Sequence, residues 1–279
     1  MLEPAVGSGN YLGFMPQELA SKTHVTAVEK DIGSAQITKA LYPDADVFNG
    51  RFQDFKSPKN FYDIVATNVP FSDTVKVFDR THKIKANLHD YYFLRSLETT
   101  KPGGLMMNVT STGTMDKLDP EVRKILDDEA EFVTAIRFPG GAHKDNAGTE
   151  VVTDMIIMRK KNPAIPPVTD ETPSEAMPPT LPLSNEEINA MRDGKEPSGF
   201  TGITTDSLGR LYHWKDGKRV PGPKWDDIVM VPDPLGGADI PVNRYFQDHP
   251  EQILGTLDRS GTMYAGEQKN VSMEEDYAE

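Results

Sequence analysis

A glycine turn close to the start of the chain constrains the fold most strongly. Residues 1–3 read as the end of an apolar strand, and Pro4-Ala5-Val6-Gly7-Ser8-Gly9-Asn10 follows directly. Two glycines at this spacing allow a tight turn and a close approach of the backbone to a ligand that carries ribose or phosphate. A full first strand has about five or six residues. We therefore expect a nucleotide-binding α/β domain that lacks its N-terminal elements.

Residues 1–161 alternate apolar runs with helix-like stretches, which is typical of a mostly parallel sheet covered by helices. The last two predicted strands are separated by a glycine-containing loop, and we expect them to pair as an antiparallel edge. We predict strands near residues 1–4, 24–29, 45–49, 62–67, 104–110, 132–138 and 151–159, and helices over Ile32–Leu41, Leu88–Thr99 and 120–128.

The C-terminal part differs in composition. Seven prolines fall within residues 162–182, and such a composition cannot bury enough surface to order itself, which predicts a linker. Residues 183–279 form a small acidic segment, with a capping-box signature for a short helix from Ser184 and a hairpin over 211–220. Trp214 and Trp225 are interpreted as a small core of this segment. The predicted domains are therefore 1–161, 162–182 and 183–279.

Charge and cysteine content exclude several classes of protein. The 279 residues carry a net charge of −13, but residues 1–161 hold 20 Lys+Arg against 22 Asp+Glu, and residues 162–279 hold 10 against 21. This balance argues against a general nucleic-acid coat and permits a local basic patch. Because there is no cysteine, disulfides, thiol nucleophiles and Cys-based zinc sites are excluded. No signal peptide, membrane span or metal-ligand spacing is evident, so a soluble cytoplasmic protein without a metal is expected.

An acid at the end of the second predicted strand completes the nucleotide signal. Glu29 follows Gly9 by 20 residues, which is where a carboxylate can accept hydrogen bonds from ribose hydroxyls. The alternative is that Glu29 caps the following helix. The glycine turn does not decide the cofactor, because nicotinamide, flavin and S-adenosylmethionine sites share it, and Leu12 stands where a third glycine is usual.

The fourth predicted strand carries the most informative turn. It ends in Asn68-Val69-Pro70-Phe71, at the strand end where open α/β sheets bind ligands. The Asn68 carbonyl oxygen and a backbone carbonyl can accept the two hydrogens of an exocyclic amine, which leaves the nitrogen lone pair free to attack a methyl group. Pro70 restricts the turn, and Phe71 offers a ring for stacking a base. The alternative is an ordinary turn with Phe71 in the core.

These motifs together resemble amino-group DNA methyltransferases, in particular the N6-adenine class found as modules in large phage and mobile-element proteins with helicase-like regions. The resemblance covers about residues 1–161, and Val69 departs from the commoner Asn-Pro-Pro-Phe pattern. Further agreeing runs are His89-Asp90-Tyr91-Tyr92-Phe93, Lys101-Pro102-Gly103-Gly104, Ser111-Thr112-Gly113-Thr114-Met115-Asp116, Thr153-Asp154 and, in the tail, Asn243-Arg244-Tyr245-Phe246.

The resemblance implies a Rossmann-like S-adenosylmethionine-dependent methyltransferase sheet, mostly parallel with an antiparallel edge hairpin, followed by the Pro-rich linker and a small irregular C-terminal segment. It implies direct methyl transfer from S-adenosylmethionine to adenine N6 in DNA after the base is flipped out of the duplex. The implied catalytic residues are Asn68, Val69, Pro70 and Phe71. The implied cofactor-binding residues are Glu3, Pro4, Gly7, Gly9, Asn10, Glu29, Phe52, Gln53 and Asp54.

DNA contacts are expected from a basic run after the catalytic turn and from one loop histidine. Lys76, Arg80, Lys83 and Lys85 can bind phosphates, although a short charge run is also an ordinary solvated loop. His143 stands where the family usually places an aromatic residue that walls the flipped base, and it is otherwise an exposed loop residue. The expected partners are DNA and, for a module of a larger parent protein, its helicase-like or other regions; no membrane partner is expected.

Other functions remain open from the sequence. Cytosine N4, an RNA base or a protein glutamine also presents an amine that such a turn can hold, whereas the cysteine-dependent cytosine C5 route is excluded. The alternative from a different class is a non-catalytic remnant or an interaction module. It stays open because the predicted nucleotide-binding domain lacks its N-terminal elements.

Overall fold

The computed structural model describes residues 1–70, 72, 75–143, 151–165, 202–205, 210–215, 218–261 and 268–272. The chain divides into two compact units, one formed by Met1–Lys161 with Lys224–Glu279 and the other by Asn162–Pro223. Most of the predicted linker, from residue 166, and the helix predicted from Ser184 lie outside the described residues.

The elements follow one another in the order that the sequence predicts for residues 1–161. Helices α3 and α4 have the predicted bounds, and each end of α6 lies within one residue of its predicted position. In chain order the strands and helices are β1 (Leu2–Glu3), α1 (Asn10–Gly13), α2 (Gln17–Ala20), β2 (Thr26–Glu29), α3 (Ile32–Leu41), β3 (Asp46–Asn49), β4 (Tyr62–Asn68), β5 (Lys76–Asp79), β6 (Ile84–Asn87), α4 (Leu88–Thr99), β7 (Thr100–Ser111), α5 (Gly113–Asp116), α6 (Glu121–Glu129), β8 (Ala130–Phe138), β9 (Thr153–Lys160), β10 (Gly202–Thr205), β11 (Leu211–Lys215), β12 (Lys218–Val220), β13 (Ile228–Val231), β14 (Ile240–Asn243), α7 (Arg244–Asp248), β15 (Thr256–Gly261) and β16 (Gln268–Ser272).

A seven-stranded sheet in the order β3-β2-β1-β4-β7-β9-β8 forms the centre of the first unit. Its first five strands are parallel, and β9 pairs antiparallel with both β7 and β8. The predicted Rossmann-like α/β class and its antiparallel edge hairpin are confirmed. Strand order reverses between β1 and β4, and ligands bind at such a switch point, outside the carboxyl ends of the strands.

Helix α4 supplies much of the core beneath this switch point. Phe93, Leu94 and Leu97 are buried and pack with Val65 of β4 and Met106 of β7. Each fully buried side chain of this size contributes about 1.5–3 kcal/mol to stability. The carboxyl ends of β1 and β4 therefore rest on a packed layer, which gives the loops after them a rigid base.

Residues from Lys224 onward belong to the same unit as residues 1–161, which corrects the predicted boundary at residue 183. The Trp225 ring stacks on Phe132 of β8 with centroids 5.0 Å apart, and Tyr245 packs on the same ring at 4.9 Å. The prediction that Trp225 serves a separate small core is therefore wrong. A segment this poor in apolar residues cannot form a core of its own, and it buries them against the sheet instead.

A buried ionic centre joins this C-terminal part to the sheet. Arg137 of β8 is fully buried, and its Nε and Nη2 donate to the Asp154 carboxylate at 2.7 and 2.8 Å. Nη2 also lies 2.9 Å from Asp116 Oδ2, and the guanidinium stands 4.2 Å above the Phe246 ring. Burial alone lowers the pKa of Arg137, but the two carboxylates more than offset this and raise it above its usual value. The Leu254 N–H donates to the Arg137 carbonyl at 2.9 Å.

The second unit contains a three-stranded antiparallel sheet in the order β10-β11-β12. The strands of the hairpin predicted over 211–220 are confirmed as β11 and β12, while Asp216 and Gly217 at its turn lie outside the described residues. Trp214 is buried in β11, and its Nε1 donates to Thr204 Oγ1 at 2.8 Å.

None of the helices in the described parts of the chain is long and apolar enough to cross a membrane. Helix α4 has 12 residues, whereas a bilayer span needs about 20.

Candidate active site

The glycine turn after β1 has the backbone geometry that its sequence predicts. Gly7 and Gly9 adopt φ angles of 56° and 92°, which residues with a side chain rarely adopt. Helix α3 holds this turn: Thr38 Oγ1 donates to the Gly7 carbonyl at 2.8 Å, and Tyr42 OH donates to the Gly9 carbonyl at 3.0 Å. A Cβ on Gly9 would lie 2.5 Å from Tyr42 Cε2. The turn therefore tolerates only glycine at position 9.

Glu29 at the end of β2 is tied to the same turn. Its Oε2 accepts the Gly7 N–H at 2.8 Å, and its Oε1 accepts the Asp31 N–H at 2.7 Å. The N-cap of α3 is Asp31, whose Oδ1 accepts the Ser34 N–H at 2.8 Å. The capping alternative for Glu29 is therefore wrong. Each carboxylate oxygen uses one backbone donor and keeps further lone pairs for a ligand's hydroxyl groups.

Glu3 is a buried carboxyl group without a compensating charge. The residue is 1% exposed, and neither carboxylate oxygen has a hydrogen-bond partner in the described part of the chain. Burial raises the pKa of Glu3 to about 8, an effect that the neighbouring Thr67 hydroxyl reduces only in part. Burial, with a smaller contribution from Glu3, also raises the pKa of Tyr11 to about 12. A cation placed against Glu3 would remove this desolvation cost.

A cleft of about 670 Å³ opens at the switch point, within the range of small-molecule sites. It brings together five of the predicted site residues, Pro4, Glu29, Gln53, Pro70 and Lys76. The other residues that line the cleft were not predicted as site residues: Ala5, Val28, Lys30, Gly50, Arg51, Val75, Val77, Phe78, Leu88 and Tyr92.

Six predicted cofactor residues do not line the cleft: Glu3, Gly7, Gly9, Asn10, Phe52 and Asp54. Phe52 is 1% exposed and packs in the core against the Tyr92 ring, with centroids 5.2 Å apart. Asp54 accepts from Arg51 Nε at 2.7 Å on the surface. Asn10 is exposed at the start of α1. Within segment 52–54, Gln53 therefore lines the cleft, and the buried Phe52 ring anchors the segment in the core.

The Asn68 turn leaves its carboxamide free. Asn68 is exposed at the end of β4, and its side chain has no hydrogen-bond partner among the described residues. The next residue, Val69, is 2% exposed and donates its N–H to the Val109 carbonyl at 2.9 Å. The turn is thus fixed by the sheet while the carboxamide stays available. Phe71 lies outside the described residues.

The predicted basic run lies on a hairpin formed by β5 and β6, which pair antiparallel. Lys76, Arg80, Lys83 and Lys85 are all exposed, and Lys76 also lines the cleft. The hairpin was not predicted, because its strands have only four residues each. His143 ends a 3₁₀ turn over Gly140–His143, and its side chain lies outside the described part.

Two aromatic residues of the cleft were missed by sequence reasoning. Tyr92 was noted only as part of a family-like run, and burial and then the Glu29 charge raise its pKa above the usual value. Phe78 is 58% exposed on β5. The available signal was an aromatic residue between basic residues shortly after the Asn68 turn.

Several solved structures are similar to part of this chain, with low sequence identity. A Listeria monocytogenes protein assigned to the class I S-adenosylmethionine-dependent methyltransferases is 16% identical, with a TM-score of 0.48 over 61% of this chain and 55% of that chain. The methyltransferase subunit of a Streptococcus thermophilus type I restriction-modification system is 18% identical, with a TM-score of 0.48 over 58% and 40% of the two chains. The P. horikoshii TYW2, solved with MeSAdo, is 16% identical, with a TM-score of 0.37 over 57% and 56%.

A curated protein is similar in sequence: the defense against restriction protein B of Escherichia phage P1 is 32% identical over 168 aligned residues, and the match covers 57% of this chain. The chain spans only 7% of the length of that relative. No protein-family model matches the chain.

Proposed function

We propose that this chain transfers a methyl group from S-adenosylmethionine to the N6 amine of adenine in DNA. The observation that carries the proposal is the free Asn68 carboxamide, two residues before a proline that lines the same cleft as Glu29. This arrangement at the switch point of the sheet supports an amine-binding role for Asn68 and a nucleoside-binding role for Glu29.

The described residues fit the proposed cofactor. Glu29 keeps lone pairs for ribose hydroxyls, and the left-handed glycines let the backbone approach a ligand closely. Buried Glu3 lacks a counter-charge, which suits the ammonium group of the cofactor's amino-acid part. When bound, the cofactor supplies an electrophilic methyl group on a sulfonium. Pro4 and Gln53 line the wall, and Gly7, Gly9 and Asn10 belong to the turn beside it.

Asn68 positions the target amine. Its Oδ1 accepts one amine hydrogen, and a backbone carbonyl of the turn accepts the other, so the nitrogen lone pair points away from both acceptors. Val69 and Pro70 offer no competing N–H, because the first is bonded to Val109 and the second has none. The nitrogen forms the new N–C bond as the C–S bond breaks, and the amine proton leaves to solvent. No covalent bond to the protein is required.

The substrate must enter the cleft as an unstacked base. Extrusion costs a few kcal/mol, which stacking on Phe71 and His143 and phosphate contacts from Lys76, Arg80, Lys83 and Lys85 would offset. The name of the phage P1 relative refers to defense against restriction, and other regions of a larger parent polypeptide are the proposed partners.

Transfer of a labelled methyl group to unmethylated DNA, RNA and protein tests the proposal. We expect label on adenine N6 of DNA, and at least a hundredfold loss of rate for Asn68→Ala with unchanged cofactor binding by calorimetry. Label on cytosine N4, RNA or protein glutamine would replace the DNA-adenine substrate with that one. Absence of cofactor binding to the full chain would favour a non-catalytic interaction module.

A further inference from the structure

The β5–β6 hairpin presents an aromatic ring between two lysines. Phe78 stands directly opposite Lys85 in the antiparallel register, and Lys76 lies two residues before Phe78 on the same face. All three side chains are exposed, whereas the alternating residues Val77 and Asp79 turn toward the protein. We call Lys76, Phe78 and Lys85 the hairpin platform.

The tip of the hairpin is anchored, so the platform is held in place. The Asp79 carboxylate accepts the His82 N–H at 2.6 Å, and His82 Nε2 lies 3.0 Å from Glu129 at the end of α6. Thr81 Oγ1 donates to Glu98 of α4 at 2.8 Å. These contacts tie both sides of the tip to helices of the core, and a ligand on the platform would not have to order the hairpin first.

The charges of the hairpin are available to a ligand. Lys76, Arg80, Lys83 and Lys85 are exposed, and none of them forms an ion pair within the part of the chain that the structure describes. The single carboxylate on the two strands, Asp79, is buried and bound to His82. The hairpin is therefore a local cationic surface on a chain whose net charge is −13.

We propose that the hairpin platform binds an unpaired nucleotide next to the target base, with its base stacked on Phe78 and its phosphates bound by Lys76 and Lys85. The proposal rests on the proposed function, and it adds the strand state of the substrate. Phe78 and Lys76 line the cleft that also contains Pro70 and Glu29. A base in a closed duplex has both faces covered, so an exposed ring selects single-stranded or locally opened DNA.

Binding of fluorescent oligonucleotides to the full chain without cofactor tests this inference. We expect single-stranded DNA to bind at least tenfold more tightly than the matching duplex, and Phe78→Ala to weaken single-strand binding about tenfold. Phe78→Trp should restore it. The matched control is Phe61→Ala, since Phe61 is 53% exposed but lies at the opposite end of β4. Lys85→Gln should reduce the salt slope of single-strand binding by about 0.7.

The outcomes separate this inference from the proposed function. Equal affinity for single-stranded and duplex DNA, or an unchanged Phe78→Ala variant, would overturn the platform even if methyl transfer were observed. Phe78-dependent single-strand binding without any methyl transfer would overturn the proposed function but would support single-strand binding by the hairpin platform. Tighter binding of RNA than of DNA of the same sequence would overturn the assignment to DNA.

Discussion

Arg137 and Glu3 are both buried ionisable groups, yet their surroundings are opposite. Arg137 is held by two carboxylates and an aromatic ring, whereas the Glu3 oxygens have no partner in the described part of the chain. Arg137 Nη1 has no hydrogen-bond partner among the described residues, but the guanidinium charge is compensated by the two carboxylates. A buried acid without partners is stabilised by protonation or by a ligand. We therefore expect the Arg137 centre to maintain the fold, and we propose Glu3 as a group that binds a ligand.

Removing the Arg137 charge should give the largest effect on stability. In Arg137→Met, Asp116 and Asp154 stay buried without their cation, and we expect the free energy of unfolding to fall by about 3–5 kcal/mol. Urea denaturation at pH 7 measures the change. The control is Arg51→Met, because Arg51 pairs with Asp54 at the surface, and losing an exposed ion pair should change stability much less. Equal effects of the two substitutions would contradict the structural role.

Glu3 should make the free protein less stable as pH rises. Its folded-state pKa of about 8 exceeds the ordinary 4.5, so the folded state binds the extra proton, and stability present below pH 4.5 is lost up to about pH 8. The loss is on the order of 5 kcal/mol, since the two pKa values differ by about 3.5 units and one unit corresponds to about 1.4 kcal/mol. Glu3→Gln should lack this component in unfolding measured from pH 5 to 8.5. Identical pH profiles for both proteins would show that Glu3 is not buried as a neutral acid.

The affinity for S-adenosylmethionine should rise with pH for the same reason. A cationic ligand binds the ionised form of Glu3, so binding releases a proton, and the dissociation constant should fall by about tenfold between pH 6 and pH 7. Calorimetry in buffers of different ionisation enthalpy counts the released proton. For Glu3→Gln we expect weaker binding that does not change over this range. A flat profile for the unmodified protein would place the ammonium group elsewhere.

The smallest expected effect is at Glu29, whose carboxylate already has backbone partners. Glu29→Gln removes the charge but keeps an acceptor, and we expect cofactor affinity to fall by about tenfold, with stability within about 1 kcal/mol of the original. Asp31→Asn is the matched control, because it keeps the N-cap of α3 and does not line the cleft. If Asp31→Asn weakened binding as much as Glu29→Gln, the ribose role of Glu29 would be wrong.

The sequence was sufficient to predict the structural features that depend on residues close together in the chain. The strands of the sheet, the bounds of α4, and the turns at Gly7 and Asn68 follow from short patterns of apolar residues, glycine and proline. Phe78 was missed because its hairpin has no long periodic pattern, and the partners of Arg137 come from three separate parts of the chain. Asp116 and Asp154 occur in runs that resembled a methyltransferase family, but only the fold shows that they bind Arg137.

The backbone of Arg137 has a consequence for solubility. Strand β8 is at the edge of the seven-stranded sheet, and Ile253 and Leu254 pair with it at Arg137. An uncovered edge strand offers unpaired N–H and C=O groups to other chains and promotes aggregation. Ile253 and Leu254 thus cover this edge at Arg137 and oppose self-association. A chain ending at residue 223 would lack them, and we expect it to form intermolecular sheet through β8.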